Sequence, residues 1–362
     1  MTVKKRWLNL AWCLLILGFL GVNFYAGIKR LPATGLSRSR VENASSMEVK
    51  MPYIDFNGFM ARLLGQKILN DVVLADDGVL YRLNQVSKAS DMKEEEKAAE
   101  AVDRIYALSR EINAEFLYAQ RPWKHNEADV FPYGFCSSIE GEQFRLRHCR
   151  EQGEPCLDLR GAMGDSLDFY ITDHHWKVAS GLAAAAAIEN ALGHGTDKLQ
   201  TELYHDLRWE KCFLGSQGIR TGRYFAGIDD MIVPVPDFAT DFHYEHYIKH
   251  ELKISKEGAF DQAFLDHKRL DDKNYYDKYG AILNNSYVET IIVNHKADNE
   301  KKILVIADSY GRALCMYLAL NYRETRYLDP QKGRYNDNYL EYIKAYSPDV
   351  IVVATPIIMN VE

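Results

Sequence analysis

A carboxylate, two imidazoles and an indole stand in a row at Asp173-His174-His175-Trp176. The segment before them, Asp168-Phe169-Tyr170-Ile171-Thr172, alternates like a strand. The segment after them, Lys177-Val178-Ala179-Ser180-Gly181-Leu182 and the five alanines Ala183 to Ala187, reads as a helix. Side chains on a strand-to-helix turn are held rigidly and face open space. In an extended segment residues i and i+2 share a face, so Asp173 can orient the ring of His175. A histidine so oriented is a general base for any nucleophile that reaches it. The competing reading makes Asp173 a helix N-cap and leaves the histidines to pack.

A nucleophile is offered near the C-terminus. Residues 302–307, Lys-Ile-Leu-Val-Ile-Ala, form a buried-strand run that ends in Asp308-Ser309-Tyr310-Gly311. A helix over 312–322, a strand over 326–328, a helix over 335–346 and a strand over 349–354 follow. That rhythm is βαβαβ, whose crossovers demand a parallel sheet. Reacting groups gather at the C-terminal ends of such strands. Ser309 occupies that place and opens a helix whose free N–H groups can hold an oxyanion. A serine needs a base to become a nucleophile. A serine after a strand is also a common N-cap, so it is the pairing with Asp173 and His175 that points to catalysis.

The rest of the chain must position these groups. Its 362 residues are enough for a large core, and the hydrophobic fraction of 47% is ordinary for a globular protein. The net charge of -7, without a basic stripe, argues against nucleic acid. The 23 tyrosines suit sugar surfaces as well as cores. Lys4, Lys5 and Arg6 precede an apolar run over 7–28, long enough to span a membrane and without a good cleavage site. Residues 1–30 are therefore expected to be an uncleaved single-pass anchor, 31–50 a juxtamembrane linker, and 51–362 a domain outside the cytoplasm. Leu31-Pro32-Ala33-Thr34-Gly35 resembles a sorting signal but lies at the wrong end of the chain.

Cys13 falls in the anchor. Cys136, Cys149 and Cys156 lie where a disulfide can staple a loop, and Cys315 reads as a buried thiol, as one of five cysteines beyond the anchor that also include Cys212. Apolar runs around Asp77-Gly78 predict a hairpin, 91–112 a helix opened by Asp91, and 115–119 a strand. From about 200 to 300 the α/β rhythm is lost, which suggests an inserted lid or β-rich subdomain. Gly215-Ser216-Gln217-Gly218-Ile219-Arg220-Thr221-Gly222 is a glycine-rich loop without a P-loop lysine. His243, His246 and His250 stand at near-helical spacing without a clear acidic partner, so no metal is assigned to them.

Thr172-Asp173-His174-His175-Trp176 resembles the signature of the DHHW proteins, which are similar to the alginate O-acetylation proteins of the SGNH-hydrolase-like superfamily. In that group an Asp-x-His-Trp motif precedes a serine in a Lys/Gly-Asp/Thr-Ser-Tyr/Phe motif. Ala307-Asp308-Ser309-Tyr310 matches it, with Ala307 departing from Lys or Gly. Residues 76–81 resemble the family's early hairpin, Phe213-Leu214-Gly215-Ser216 a segment after the motif helix, and 303–354 its C-terminal half-sheet.

The resemblance implies an α/β, SGNH-hydrolase-like (flavodoxin-like) parallel sheet flanked by helices. It implies Ser309 as nucleophile, His175 as base and Asp173 as orienter, with His174 at a variable position and Trp176 packing. Tyr310, Arg220 and Asn285 are the remaining candidates for substrate or oxyanion contacts. The expected activity is transfer of an acyl group, acetyl foremost, to a cell-envelope polysaccharide through an acyl-serine, with a membrane-bound O-acyltransferase as candidate acyl supplier and no metal or cofactor. An esterase, a catalytically silent polysaccharide-binding protein, and a metallohydrolase using Asp173, His174 and His175 are the alternatives.

Overall fold

The computed structural model describes residues 47–83, 92–124, 140–248, 251–276, 278–285, 288–332 and 338–355, together with Gly18. The expected anchor apart from Gly18, most of the linker, Cys13, Asp91, Cys136 and His250 lie outside them. Among the described residues no helix is long and apolar enough to cross a membrane.

From residue 47 the described chain forms a helix, Met47–Leu63, and a small antiparallel sheet of β1 (Ile68–Leu69), β2 (Val72–Leu74) and β3 (Leu80–Arg82). β2 and β3 are the hairpin read around Asp77-Gly78. The helix Met92–Glu111 leads into β4 (Glu115–Gln120), and the helix Glu140–Gln152 into β5 (Cys156–Asp158). After the alanine-rich helix Val178–Ala191 come the hairpin β6 (Tyr204–Phe213) and β7 (Asp229–Pro236), and then β8 (Phe242–Ile248), β9 (Glu251–Gly258) and β10 (Glu289–Asn294). The chain continues with β11 (Lys302–Ala307), the helix Gly311–Leu318, β12 (Glu324–Leu328), the helix Tyr339–Tyr346 and β13 (Val350–Ala354).

The main sheet has eight strands in the order β5-β4-β13-β11-β12-β10-β8-β9. β5 through β12 run parallel, while β10, β8 and β9 continue the sheet antiparallel. β11 and β13 are buried along nearly their whole length, as strands covered on both faces must be. Alternate residues serve opposite layers. Ile303, Val305, Val350 and Val352 pack into the cluster shared with the helices Val178–Ala191 and Gly311–Leu318. Leu304, Ile306, Ile351 and Val353 pack with residues of the helices Met92–Glu111 and Tyr339–Tyr346. The two helices of the first layer meet at Gly181, where a Cβ would lie 2.6 Å from that of Ala313. The small residues of 178–187 thus set how closely the motif helix approaches the serine helix.

Several expectations are corrected. Residues 168–172 are no strand but an irregular loop, closed by one isolated bridge between Phe169 and Trp176. The stretch departs from the sheet because the side chains of Thr172 and Asp173 accept backbone N–H groups and compete with a ladder. The region 200–300 is β-rich: β6 and β7 form a two-stranded sheet of their own, whereas β8, β9 and β10 extend the main sheet. His243 and His246 stand on a strand, not a helix, and an odd spacing puts them on opposite faces. Cys149, Cys156, Cys212 and Cys315 are thiols, so no disulfide joins Cys149 to Cys156.

Candidate active site

β11 ends at Ala307 in the middle of the parallel strands, and Asp308-Ser309-Tyr310 turns the chain into the helix Gly311–Leu318. The turn is tightly held. The Asp308 carboxylate accepts the Tyr310 N–H at 3.1 Å, and its carbonyl accepts the Gly311 N–H at 2.8 Å. Two of the amides expected to be free at this helix start are therefore taken, and Ser309's own N–H has no partner among the described residues. Arg121, just beyond β4, fixes the other end of Asp308 through a 2.8 Å ion pair. Its guanidinium lies between the rings of Tyr310 and Trp123, at 3.9 and 4.2 Å from their centroids. Arg121 and Asp308 are both buried, so the pair holds only because each charge is matched.

The loop 170–175 faces Ser309 across the sheet edge. Lys124 donates to the carbonyls of Tyr170, Ile171 and Asp173 at 2.6, 3.0 and 2.8 Å. The Asp229 carboxylate accepts the N–H groups of Ile171 and Thr172, both at 2.8 Å, and the Thr172 hydroxyl at 2.6 Å. The glycine-rich loop closes the third side. Gly215 N–H donates to Thr172 Oγ1 at 2.8 Å and Ser216 N–H to Asp173 Oδ2 at 2.6 Å. Gln217 and Gly218 donate to the Thr172 carbonyl at 3.1 and 2.9 Å. Only glycine fits at 215, because a Cβ there would stand 2.1 Å from that of Asp173.

Held in this way, Asp173, His175 and Ser309 form one hydrogen-bonded line. Asp173 Oδ1 bonds His175 Nδ1 and also accepts the His175 N–H at 2.9 Å. His175 Nε2 meets Ser309 Oγ at 2.7 Å. A carboxylate facing Nδ1 places the proton there, which leaves Nε2 to accept from the serine hydroxyl. Asp173 and His175 are buried, while Ser309 is half-buried. Burial alone would raise the Asp173 carboxyl, but the charges of His175 and His174 and hydrogen bonds from His175 and the Ser216 N–H hold it well below the usual carboxylate range. Burial lowers His175 below its ordinary value, opposed by Asp173 and reinforced by the charges of Arg312 and Arg121. Tyr279 stacks on the His175 ring at 3.9 Å and 14°. The resting pair is thus a carboxylate and a neutral imidazole.

The remaining candidates separate. His174 is half-buried, sets its ring 3.9 Å from that of His175 at a tilt of 37°, and bonds Ser216 Oγ at 2.8 Å through Nδ1. Tyr310 donates its hydroxyl to the His174 carbonyl and sets its ring at the edge of Trp176, so it ties the two turns together. Trp176 is buried as a packing residue. Arg220 lines a cavity beside His174 and Ser216. Asn285 stands in a left-handed turn at φ 57°. Asp173, His174 and His175 place their donor atoms within 4.8 Å of one another, close enough for a divalent ion. Yet each of the three already bonds within the site, so the set fits an acid–base relay better than a metal centre.

Sequence reasoning missed Arg121, Lys124, Asp229 and Tyr279. Their roles arise from contacts 46 to 187 residues apart, and nothing local to each residue signals them. Gly215 was visible as part of a glycine-rich loop, but not as the support under Asp173.

No family model and no curated protein matches the chain. Solved structures do. A structure of PatB1 from Bacillus cereus superposes with a TM-score of 0.60 at 19% identity, covering 79% of this chain and 96% of that one. A second PatB1 structure, with a sulfonyl adduct, gives 0.61 at 17%, covering 78% and 95%. A DHHW family protein from Eubacterium siraeum gives 0.59 at 16%, covering 80% and 91%. The resemblance read from Thr172–Trp176 and Ala307–Tyr310 is thereby matched at the level of fold: this chain has the architecture of the DHHW protein and of PatB1.

Proposed function

We propose that the chain is a serine O-acyltransferase that moves an acyl group, acetyl in the simplest case, onto a hydroxyl of a cell-envelope polysaccharide. The observation that carries this reading is the unbroken line from Ser309 Oγ through His175 to Asp173, with 2.7 Å between hydroxyl and imidazole. His175 Nε2 takes the serine proton as Oγ attacks the acyl carbonyl. The tetrahedral intermediate collapses, and the leaving group departs with that proton. A sugar hydroxyl then gives its proton to His175, attacks the acyl-serine and carries the acyl group away, while Ser309 regains a proton. Asp173 stabilises the imidazolium in both half-reactions. The Ser309 N–H is a natural oxyanion donor.

The apolar run over 7–28 is assigned as an anchor that leaves residues 51–362 outside the cytoplasm. A membrane-bound O-acyltransferase would supply the acyl group there. PatB1, which shares the fold, has been captured with a sulfonyl adduct, and sulfonyl fluorides are accordingly suitable probes for Ser309.

The test supplies the purified chain with an activated acetyl ester and oligosaccharides, and follows acetate and acetylated sugar separately. Acetylated sugar is the expected product. Acetate alone at every sugar concentration would make the protein an esterase. Turnover that persists in Ser309→Ala would contradict the acyl-serine.

A further inference from the structure

We propose that a cavity lined by Arg82 and Arg220 beside His174 is an acceptor subsite for an anionic group of the polysaccharide, a sugar carboxylate or a phosphodiester. The inference rests on the acyl-transfer reading of Ser309 and adds the chemical class of its acceptor.

The cavity measures about 430 Å³ and is lined by Arg82, His174, Ser216, Gln217, Ile219 and Arg220. Among the described residues no carboxylate lines it, although the chain as a whole carries a net charge of -7. Neither guanidinium forms an ion pair with a described residue. Two cations that share one cavity repel each other until an anion lies between them. Guanidinium forks match carboxylate and phosphate oxygens in pairs, with a fit that lysine does not offer. The volume is within the range of small-molecule sites and accommodates roughly one or two sugar units.

Both cations are built into the frame of the site. Arg82 ends β3, and Leu80 of that strand donates to the Ile171 carbonyl at 3.0 Å. Arg220 belongs to the loop whose Gln217 and Gly218 amides bind the Thr172 carbonyl, and Asn70 holds the Arg220 carbonyl at 2.7 Å. β3 and the glycine-rich loop, which carry Arg82 and Arg220, thus both bond the backbone or side chains of the loop 171–173. His174 forms the common wall, its ring 3.9 Å from that of His175. An anionic group seated between Arg82 and Arg220 would therefore bring a hydroxyl of the same or the adjoining sugar to His175 Nε2. His174 itself is held neutral by burial and by His175, so it contributes hydrogen bonding rather than charge.

The test measures binding by calorimetry to the detergent-solubilised full chain carrying Ser309→Ala, which needs no turnover. The probes are galacturonic acid hexamer, a glycerol-phosphate oligomer and the neutral cellohexaose. At least one acidic probe is expected to bind about tenfold or more tightly than the neutral one. Arg82→Gln and Arg220→Gln should each remove most of that preference, and raised salt should erode it. The stronger of the two acidic probes identifies carboxylate or phosphodiester as the source. Equal binding of neutral and acidic probes, or a preference that survives both substitutions together, would overturn the proposal. Should either variant fail to fold, the salt dependence of the unsubstituted cavity decides alone: a preference unchanged by salt counts against it. Acidic probes held through the arginines by a chain that never acylates Ser309 would retire acyl transfer and keep the anion site. An acylated Ser309 without any acidic preference would do the reverse.

Discussion

Replacing Gly215 by alanine tests whether the glycine-rich loop supports the relay. The added Cβ would lie 2.1 Å from Asp173 Cβ and 2.6 Å from Asp173 Cα, against 3.4 Å for an ordinary contact. From 2.1 to 3.4 Å is about 1.3 Å of recoil, which a backbone packed on both sides must absorb. That movement would break the Ser216 N–H bond to Asp173 Oδ2, now 2.6 Å, and the Gly215 N–H bond to Thr172 Oγ1, now 2.8 Å. Overpacking of this kind costs about 1–3 kcal/mol, and a lost hydrogen bond to a charged group about 1.5–3 kcal/mol. The variant should therefore be less stable by roughly 2–5 kcal/mol, with both mechanisms overlapping in part. A displacement of about 1 Å at a catalytic group lowers rate by about a hundredfold. The assay is the pseudo-first-order rate of Ser309 modification by a sulfonyl fluoride, with the melting temperature recorded on the same samples. A Gly215→Ala protein that reacts at the unsubstituted rate would refute the claim that this loop fixes Asp173.

Other expectations follow from the same geometry. His175→Ala should abolish Ser309 modification, whereas His174→Ala, which leaves the Asp173–His175–Ser309 line intact, should retain a substantial fraction; equal losses would sink the distinction. Arg121→Met strips the buried Asp308 of its counter-charge and should destabilise by about 3–5 kcal/mol, while Arg121→Met with Asp308→Leu should recover much of that loss in denaturant titrations. Because burial lowers His175 below its ordinary 6.5, the acid limb of the Ser309 modification rate should have its midpoint below pH 6.5. The linkage has a definite sign: the unfolded chain binds the proton first, so stability from His175 is full above 6.5 and declines as pH falls below it. An acid-limb midpoint above 6.5 would contradict the buried, neutral base.

Much of this molecule was legible in the chain itself. The run 302–307 and the βαβαβ rhythm after it marked the parallel half of the sheet, because strands covered on both faces are continuously apolar. Asp173, His175 and Ser309 were singled out by residue type and spacing, and the structure brings them within hydrogen-bonding reach of one another. Asp173 and His175 do meet, but by a different geometry from the strand that the local pattern predicts. They share a face not as neighbours on a strand but because Thr172 and Asp173 are gripped by Lys124, Asp229 and the amides of 215–218. A strand-like alternation over 168–172 conceals that competition, since a local pattern does not reveal a distant lysine. The antiparallel extension β8–β9–β10 escaped for a similar reason. β8 and β9 alternate in burial as half-exposed strands do, and nothing in the three strands names the strand they will join.

The most direct measurement of the central claim is the mass and location of an acyl group left on the protein. The full chain is exposed to an activated acetyl ester, quenched in acid and analysed intact, then mapped by peptide. The account predicts a single acetyl group on Ser309, absent from Ser309→Ala and formed far more slowly in His175→Ala, with all three proteins equally folded. An acetyl group on some other residue, or a folded wild-type chain that takes none while its Ser309 also resists a sulfonyl fluoride, would contradict it.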